Sequence, residues 1–271
     1  PMLAGGVGHE TAWGLIMKRI LLSVASLAAI GTPAFAADLA PRSYMPTKAP
    51  PLVSPAYDWS GFYVGINGGG GWDRDCWNNT ALFGVPVSPS AGEGCASNSG
   101  GTVGGQIGYR WQSASWVFGV EAQGNWADIS GSSQSLVLPN ITNQSKMDAF
   151  GLFTGQIGYA WNNVLLYVKG GAAVTDNQYS GWSNATGIQL SSANDTRWGG
   201  TVGVGLEYGF APNWSLAVEY DHLFMGTNNV AFTGIAPANL GVNTRNEDIS
   251  QDVDLVTARI NYRFGYAASR Y

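Results

Sequence analysis

The chain has 271 residues, of which only 11% are charged and 12% aromatic, with 38 glycines and a formal net charge of −5. That is little charge for the surface of a water-soluble domain, and no run of Lys or Arg could neutralise a line of phosphates, which excludes nucleic acid as a partner. Beyond the N-terminus no stretch has the roughly 20 unbroken apolar residues of a membrane-spanning helix, so a bilayer could be crossed only with strands.

Residues 1–16 precede Met17 and read as an over-extended frame outside the fold. From Met17 come Lys18 and Arg19, an apolar run from Ile20 to Ile30, then Ala34, Phe35 and Ala36. This positive end, short apolar centre and small-residue site predict an export signal over 17–36, cleaved after Ala36. Residues 37–58 contain Pro41, Pro46, Pro50, Pro51 and Pro55. They are too proline-rich to pair as a strand and too polar to pack, and are expected to form a periplasmic tether.

From Trp59 onward the pattern has period two, the repeat that separates the faces of a β-strand. In 116–126 one face carries Trp116, Phe118, Val120, Ala122 and Trp126, and the other Glu121, Gln123 and Asn125. In 198–210 Trp198, Val202, Val204, Leu206 and Tyr208 oppose Thr201, Gly203, Gly205 and Glu207. In 256–264 Ala258, Ile260 and Tyr262 oppose Thr257, Arg259, Asn261 and Arg263. Eight strands are predicted, near 59–72, 101–111, 116–129, 147–160, 164–174, 196–210, 214–225 and 253–264. Each has the length of a tilted membrane strand.

Short links at 112–115, 161–163 and 211–213 alternate with long polar stretches at 73–100, 130–146, 175–195 and 226–252. Short periplasmic turns alternating with long outer loops are the pattern of an outer-membrane barrel. Gly105-Gln106-Ile107-Gly108-Tyr109 recurs as Gly155-Gln156-Ile157-Gly158-Tyr159, a repeat of about fifty residues that leaves room for two strands, not for the four of a propeller blade. Aromatic residues gather at the short turns: Tyr109, Trp111, Trp116, Tyr159, Trp161, Tyr208, Phe210, Trp214, Tyr262 and Phe264. A looser set, Trp72, Trp126, Trp198 and Phe224, sits near the long stretches. Two girdles bracketing an apolar band fit lipid, because amphipathic rings settle at headgroup level. The predicted fold is therefore all-β, an eight-stranded antiparallel up-and-down transmembrane β-barrel over 59–264, with a tail at 265–271. A soluble lipocalin-like barrel would put its apolar face inside.

The opening Asp58-Trp59-Ser60-Gly61-Phe62-Tyr63-Val64-Gly65, the two Gly-Gln-Ile-Gly-Tyr segments and the closing Ala258-Arg259-Ile260-Asn261-Tyr262-Arg263-Phe264 resemble the small porin-like surface proteins of alpha-proteobacteria, related in architecture to OmpA-type eight-stranded barrels. The resemblance implies an abundant envelope protein and surface antigen of the outer membrane, and no reaction. It implies contact with outer-membrane lipid and lipopolysaccharide, insertion by the barrel-assembly machinery, and loops open to host or phage. Barrels of this kind end on an aromatic insertion signal; here Phe264 or Tyr271 would serve.

Inward-facing Glu121, Lys169, Glu207, Glu219, Asp221, Arg259 and Arg263 are expected to pair into a network that plugs so narrow a lumen. The alternative is a narrow gated pore, for which the small inward residues Gly203 and Gly205 would leave space. Cys76 and Cys95, the only cysteines, share the first long stretch of an exported chain and are expected to form a disulfide. No metal or cofactor is expected, since no further Cys or His accompanies them. Arg74, Lys146, Arg197 and Arg245 are placed at the outer rim as candidate lipopolysaccharide contacts. His222 falls on the outer face without an adjacent Ser or Thr, so a lipid A-modifying enzyme is a remote alternative. Gly68 to Gly71 follow a strand and open no helix, which argues against a phosphate loop.

Overall fold

The structure, a computed structural model, describes residues 57–265. The expected segments at 1–16 and 17–36, most of the tether and the tail beyond Gly265 lie outside the described residues. Eight strands form one closed ring: β1 (Gly61–Leu82), β2 (Val85–Ser113), β3 (Trp116–Gln134), β4 (Ile141–Trp161), β5 (Val164–Ser183), β6 (Gln189–Ala211), β7 (Trp214–Gly234) and β8 (Asn243–Phe264). Every neighbouring pair is antiparallel, and β1 closes on β8 from Phe62 opposite Phe264 to Leu82 opposite Arg245. Closure leaves no unpaired edge, as a structure in lipid requires.

The strands run to between 19 and 29 residues, about twice what a bilayer needs. The expectation of long polar loops at 73–100, 130–146, 175–195 and 226–252 is therefore corrected: most of these residues continue the strands as a barrel extension outside the membrane. Their polar composition suggested loops because, in water, the outer wall of a barrel is polar too.

The outside of the lower barrel is apolar. Ile66, Val120, Val168, Leu206 and Val218 are exposed there, between the lower aromatic belt and Trp72, Trp126, Trp198 and Phe224 above. Rings in the lower belt meet edge on, as Trp116 with Tyr159 and Trp214 with Tyr262. Inside, the Gly-Gln-Ile-Gly-Tyr motif has a steric reading. Its Gln and second Gly point inward, and a Cβ on Gly108 would lie 2.5 Å from the Tyr63 ring. Gly205 on β6 makes the same room for Tyr167, whose ring lies 2.2 Å from where its Cβ would be.

At the outer end the connections are tied together. Phe83 and Gly84, with φ of 48° and 78°, make the two-residue turn that suits a twisted hairpin. Backbone amides bridge adjacent tips: Phe83 donates to the Thr244 carbonyl (3.0 Å), Leu136 to Glu93 (3.2 Å), Asn184 to Asn140 (2.8 Å) and Ile235 to Leu190 (2.9 Å).

Candidate functional site

The interior is filled in layers. At the periplasmic mouth Trp59, just before β1, is buried against Val117, Ala160, Leu165 and Tyr167, with Tyr57 packed on them. Arg263 donates to the backbone carbonyls of Ser60 and Pro212, 3.0 Å each. Its expected place in a central ion network is corrected: its nearest carboxylate is Asp58 at 4.0 Å, because β8 ends at this level and carries it past the lumen charges.

Above lies the charged layer. Lys169 Nζ sits 2.5 Å from Glu219, 3.2 Å from Asp221 and 3.7 Å from Glu121. Arg259 joins Glu121 (2.7 Å) to Glu219, and also donates to the side-chain Oε1 of Gln123 (3.0 Å). Tyr63 and Tyr167 each donate a 2.7 Å hydrogen bond, to Glu121 and Glu219 respectively. Glu207 pairs instead with Arg110 at 2.8 Å and accepts from Asn261 Nδ2 at 3.0 Å. Arg110 was absent from the expected set, although its position between outward Tyr109 and Trp111 was the signal for it. Its guanidinium lies 4.4 Å from the Tyr63 ring centre and 5.5 Å from that of Tyr167, a favourable cation–π placement. These charges are almost entirely buried, so each depends on its partner.

At the level of the outer girdle the lumen turns apolar: Ile129, Met147, Phe150, Leu152, Leu223, Met225, Val253 and Leu255 pack together. Outside the membrane two further layers follow. The first holds Asp73, Asp75, Asn98, Gln251 and Asn177, all buried. Burial, and the neighbouring Asp75, push the Asp73 carboxyl up to about 7, and burial raises Asp75 too. Next come Trp77, Tyr179, Val230, Phe232 and Ile249, topped by Arg245 between Glu93 and Glu247, each at 3.6 Å. Burial, then the Glu93 charge, push the Glu247 carboxyl up to about 8.

Two of the four expected rim cations are corrected by this packing. Arg197 and Arg245 are 3% and 2% exposed. Arg197 donates to Asp195, to the Tyr179 hydroxyl (3.1 Å) and to the Ile249 carbonyl (3.0 Å); Arg245 donates to Asn143 (2.8 Å) and covers the Phe232 ring. Read as loop residues they would reach outward; as strand residues they share the inward alternation. Arg74 stays exposed, and Lys146 lies on the outer wall between Asp148 (2.9 Å) and Asp128 (3.6 Å).

Cys76 and Cys95 are opposite one another on β1 and β2 and form a disulfide. On the outer wall His222 Nδ1 lies 2.7 Å from Asp254, which also accepts from the Tyr220 hydroxyl. The residues level with this pair are Val202 on β6 and Trp72 on β1.

Residues 22–264 match the model of the outer membrane protein beta-barrel domain. The chain belongs to this family. Within it, the chain is 29% identical over 259 residues to the 31 kDa outer-membrane immunogenic protein of Brucella melitensis, covering 92% of this chain and 100% of that one. It is 26% identical over 223 residues to the 25 kDa outer-membrane immunogenic protein of Brucella abortus, covering 82% and 92%. Among solved structures it is similar to the outer membrane protein OprG from Pseudomonas aeruginosa, at 12% identity and a TM-score of 0.44, over 78% of this chain and 99% of that one. So distant a likeness carries no argument about function. Like its relatives, this beta-barrel domain protein resides in the outer membrane, its apolar band in lipid.

Proposed function

We propose that the protein is a closed structural barrel of the outer membrane, neither a channel nor an enzyme, whose role lies in the rigid rim it presents at the cell surface. One observation carries the reading: the space at the inward glycines is filled. Tyr167 occupies the room at Gly205, and Asp221 Oδ1 lies 2.2 Å from where a Gly203 Cβ would be. Each of these side chains is held by the ion network, and Trp59 with Val117 and Leu165 closes the periplasmic mouth. Moving an ion past these layers would mean breaking buried pairs.

A surface role is supported by the strand extension, roughly 30 Å of chain beyond the girdle on β1, and by its bridged tips. Phe83, Leu136, Ile188 and Leu240 are exposed on those tips, where no charged residue lies within 80–92, 130–145 or 227–244. The relatives' description as immunogenic agrees with a face open to the surroundings. On this reading lipopolysaccharide headgroups meet Arg74 and Lys146, the outward-facing cations among the described residues.

The test is ion conductance of the refolded protein in a planar bilayer, with the heat-dependent gel shift of a folded barrel as control. Folded protein is expected to be silent. Reproducible discrete steps from folded wild-type protein would overturn the proposal in favour of a pore.

A further inference from the structure

The first layer above the outer girdle has more buried acceptors than donors. Asp73 and Asp75 point inward from β1 and are 4% and 0% exposed. Asn98 Nδ2 donates to Asp75 Oδ2 (3.0 Å), as does the Ser145 hydroxyl. Gln251 Nε2 is shared between Asp73 Oδ2 and Asn177 Oδ1, 3.2 Å each, and Asn177 Nδ2 goes to Thr175 (2.9 Å). Each amide nitrogen of the layer and the Ser145 hydroxyl already serves an acceptor, yet Asp73 Oδ1, Asp75 Oδ1 and Gln251 Oε1 have no partner. The Asn98 oxygen, also without one, rests against Gly131.

Charge points the same way. Arg197 is the cation nearest this layer, and it is held by Asp195 at 2.5 Å, with its other bonds going to Tyr179 and Ile249. Neither Asp73 nor Asp75 makes a salt bridge among the described residues. The Arg197 charge reaches Asp75 but makes no ion pair with it, and two buried carboxylates that share so committed a cation are costly. A single shared proton would supply one donor and leave the rest of the deficit. A hard dication matches both the charge and the all-oxygen set, and needs no fixed angles.

We propose that Asp73, Asp75 and Gln251 hold a divalent cation, calcium by their chemistry, that clamps β1 to β8 directly above the outer girdle. Among the described residues no three acidic, His or Cys side chains converge. Two carboxylates and an amide therefore place the affinity in the range of extracellular calcium modules, about 10⁻⁴ to 10⁻³ M.

The experiment uses the full barrel, refolded in detergent and freed of metal with a chelator. Terbium is titrated in while tryptophan is excited, because Trp77 follows Asp75 by two residues on the same face, about 7 Å along the strand. Saturable emission is expected, displaced by calcium, and reduced at least tenfold in Asp73→Asn and Asp75→Asn but not in the outer-wall control Asp254→Asn. Calcium should also raise the unfolding midpoint of wild type and leave the Asp73→Asn/Asp75→Asn variant unmoved. Emission that fails to saturate, or is equal in the double variant, overturns the site. So does a wild type that ignores calcium while the double variant is more stable without it, which would mean that the carboxyls share a proton instead.

Discussion

Strand β8 passes through both halves of the barrel with its in–out alternation unbroken, and the two halves solve opposite problems. Below the girdle its outward residues are Val256, Ala258, Ile260, Tyr262 and Phe264, and its inward ones include Thr257, Arg259 and Asn261. Above it, the outward residues are Asn246, Asp248, Ser250, Asp252 and Asp254, while Ile249, Val253 and Leu255 point in together with the paired Arg245, Glu247 and Gln251. The backbone alternation is unchanged, yet the hydropathy is inverted. Where lipid covers the wall, apolar side chains belong outside and polar ones must pair in the lumen. Where water covers it, the same ring is an ordinary small barrel with its apolar residues inside. The inversion marks the membrane boundary along a single strand.

The contrast can be broken most severely from below. Arg259→Ala leaves Glu121, Glu219 and Asp221 to share Lys169 alone inside the membrane-embedded half, and loss of one partner of a buried pair costs about 3–5 kcal/mol. It should lower the urea midpoint for the gel-shifted folded form of the whole barrel; a midpoint equal to wild type would show that the lumen network contributes little.

Opening the disulfide acts on the upper half alone. It joins residues 19 apart in sequence, and a closed loop of that size is worth about 3 kcal/mol in the chain-entropy model. A Cys76→Ser/Cys95→Ser variant should keep the gel shift while its extension becomes sensitive to added protease. Equal sensitivity of the membrane-embedded strands would mean that the halves unfold as one unit.

The most local effect is a pH dependence confined to the rim. Glu247, ordinarily near 4.5, is raised to about 8, so between those values the native state holds a proton that the unfolded chain has released. Stability of the extension should therefore fall as pH rises from about 4.5 to 8 and level off above. Glu247→Gln should flatten this slope in protease-sensitivity measurements at pH 5, 6.5 and 8; an unchanged slope would assign it to another group.

Much of the lower barrel was legible from residues alone, since lipid imposes one rule on every strand there and the girdle aromatics mark both its ends. Arg110 was missed only because a lone Arg between two girdle aromatics drew attention to its neighbours. The upper half was harder to read. Asp252 and Asp254 on the outer wall, and the glycine- and asparagine-rich stretches around them, carry the composition of loops. With the wall polar, the inward Val253 and Ile249 look like isolated apolar residues, and Arg197 and Arg245 look like free cations.

The sequence by itself determined the strand count, the pairing of short turns with long outer segments, the outward apolar band and the disulfide partners. All of these follow from period-two alternation and from chemistry local to a few residues. Only the tertiary structure decided how far the strands run past the membrane, which charges meet across the lumen, and that Trp59 closes its mouth. Those depend on ring closure and stagger, which bring Arg259 to Glu121 and Arg245 to Asn143 from strands more than a hundred residues apart, and no local pattern encodes such a distance.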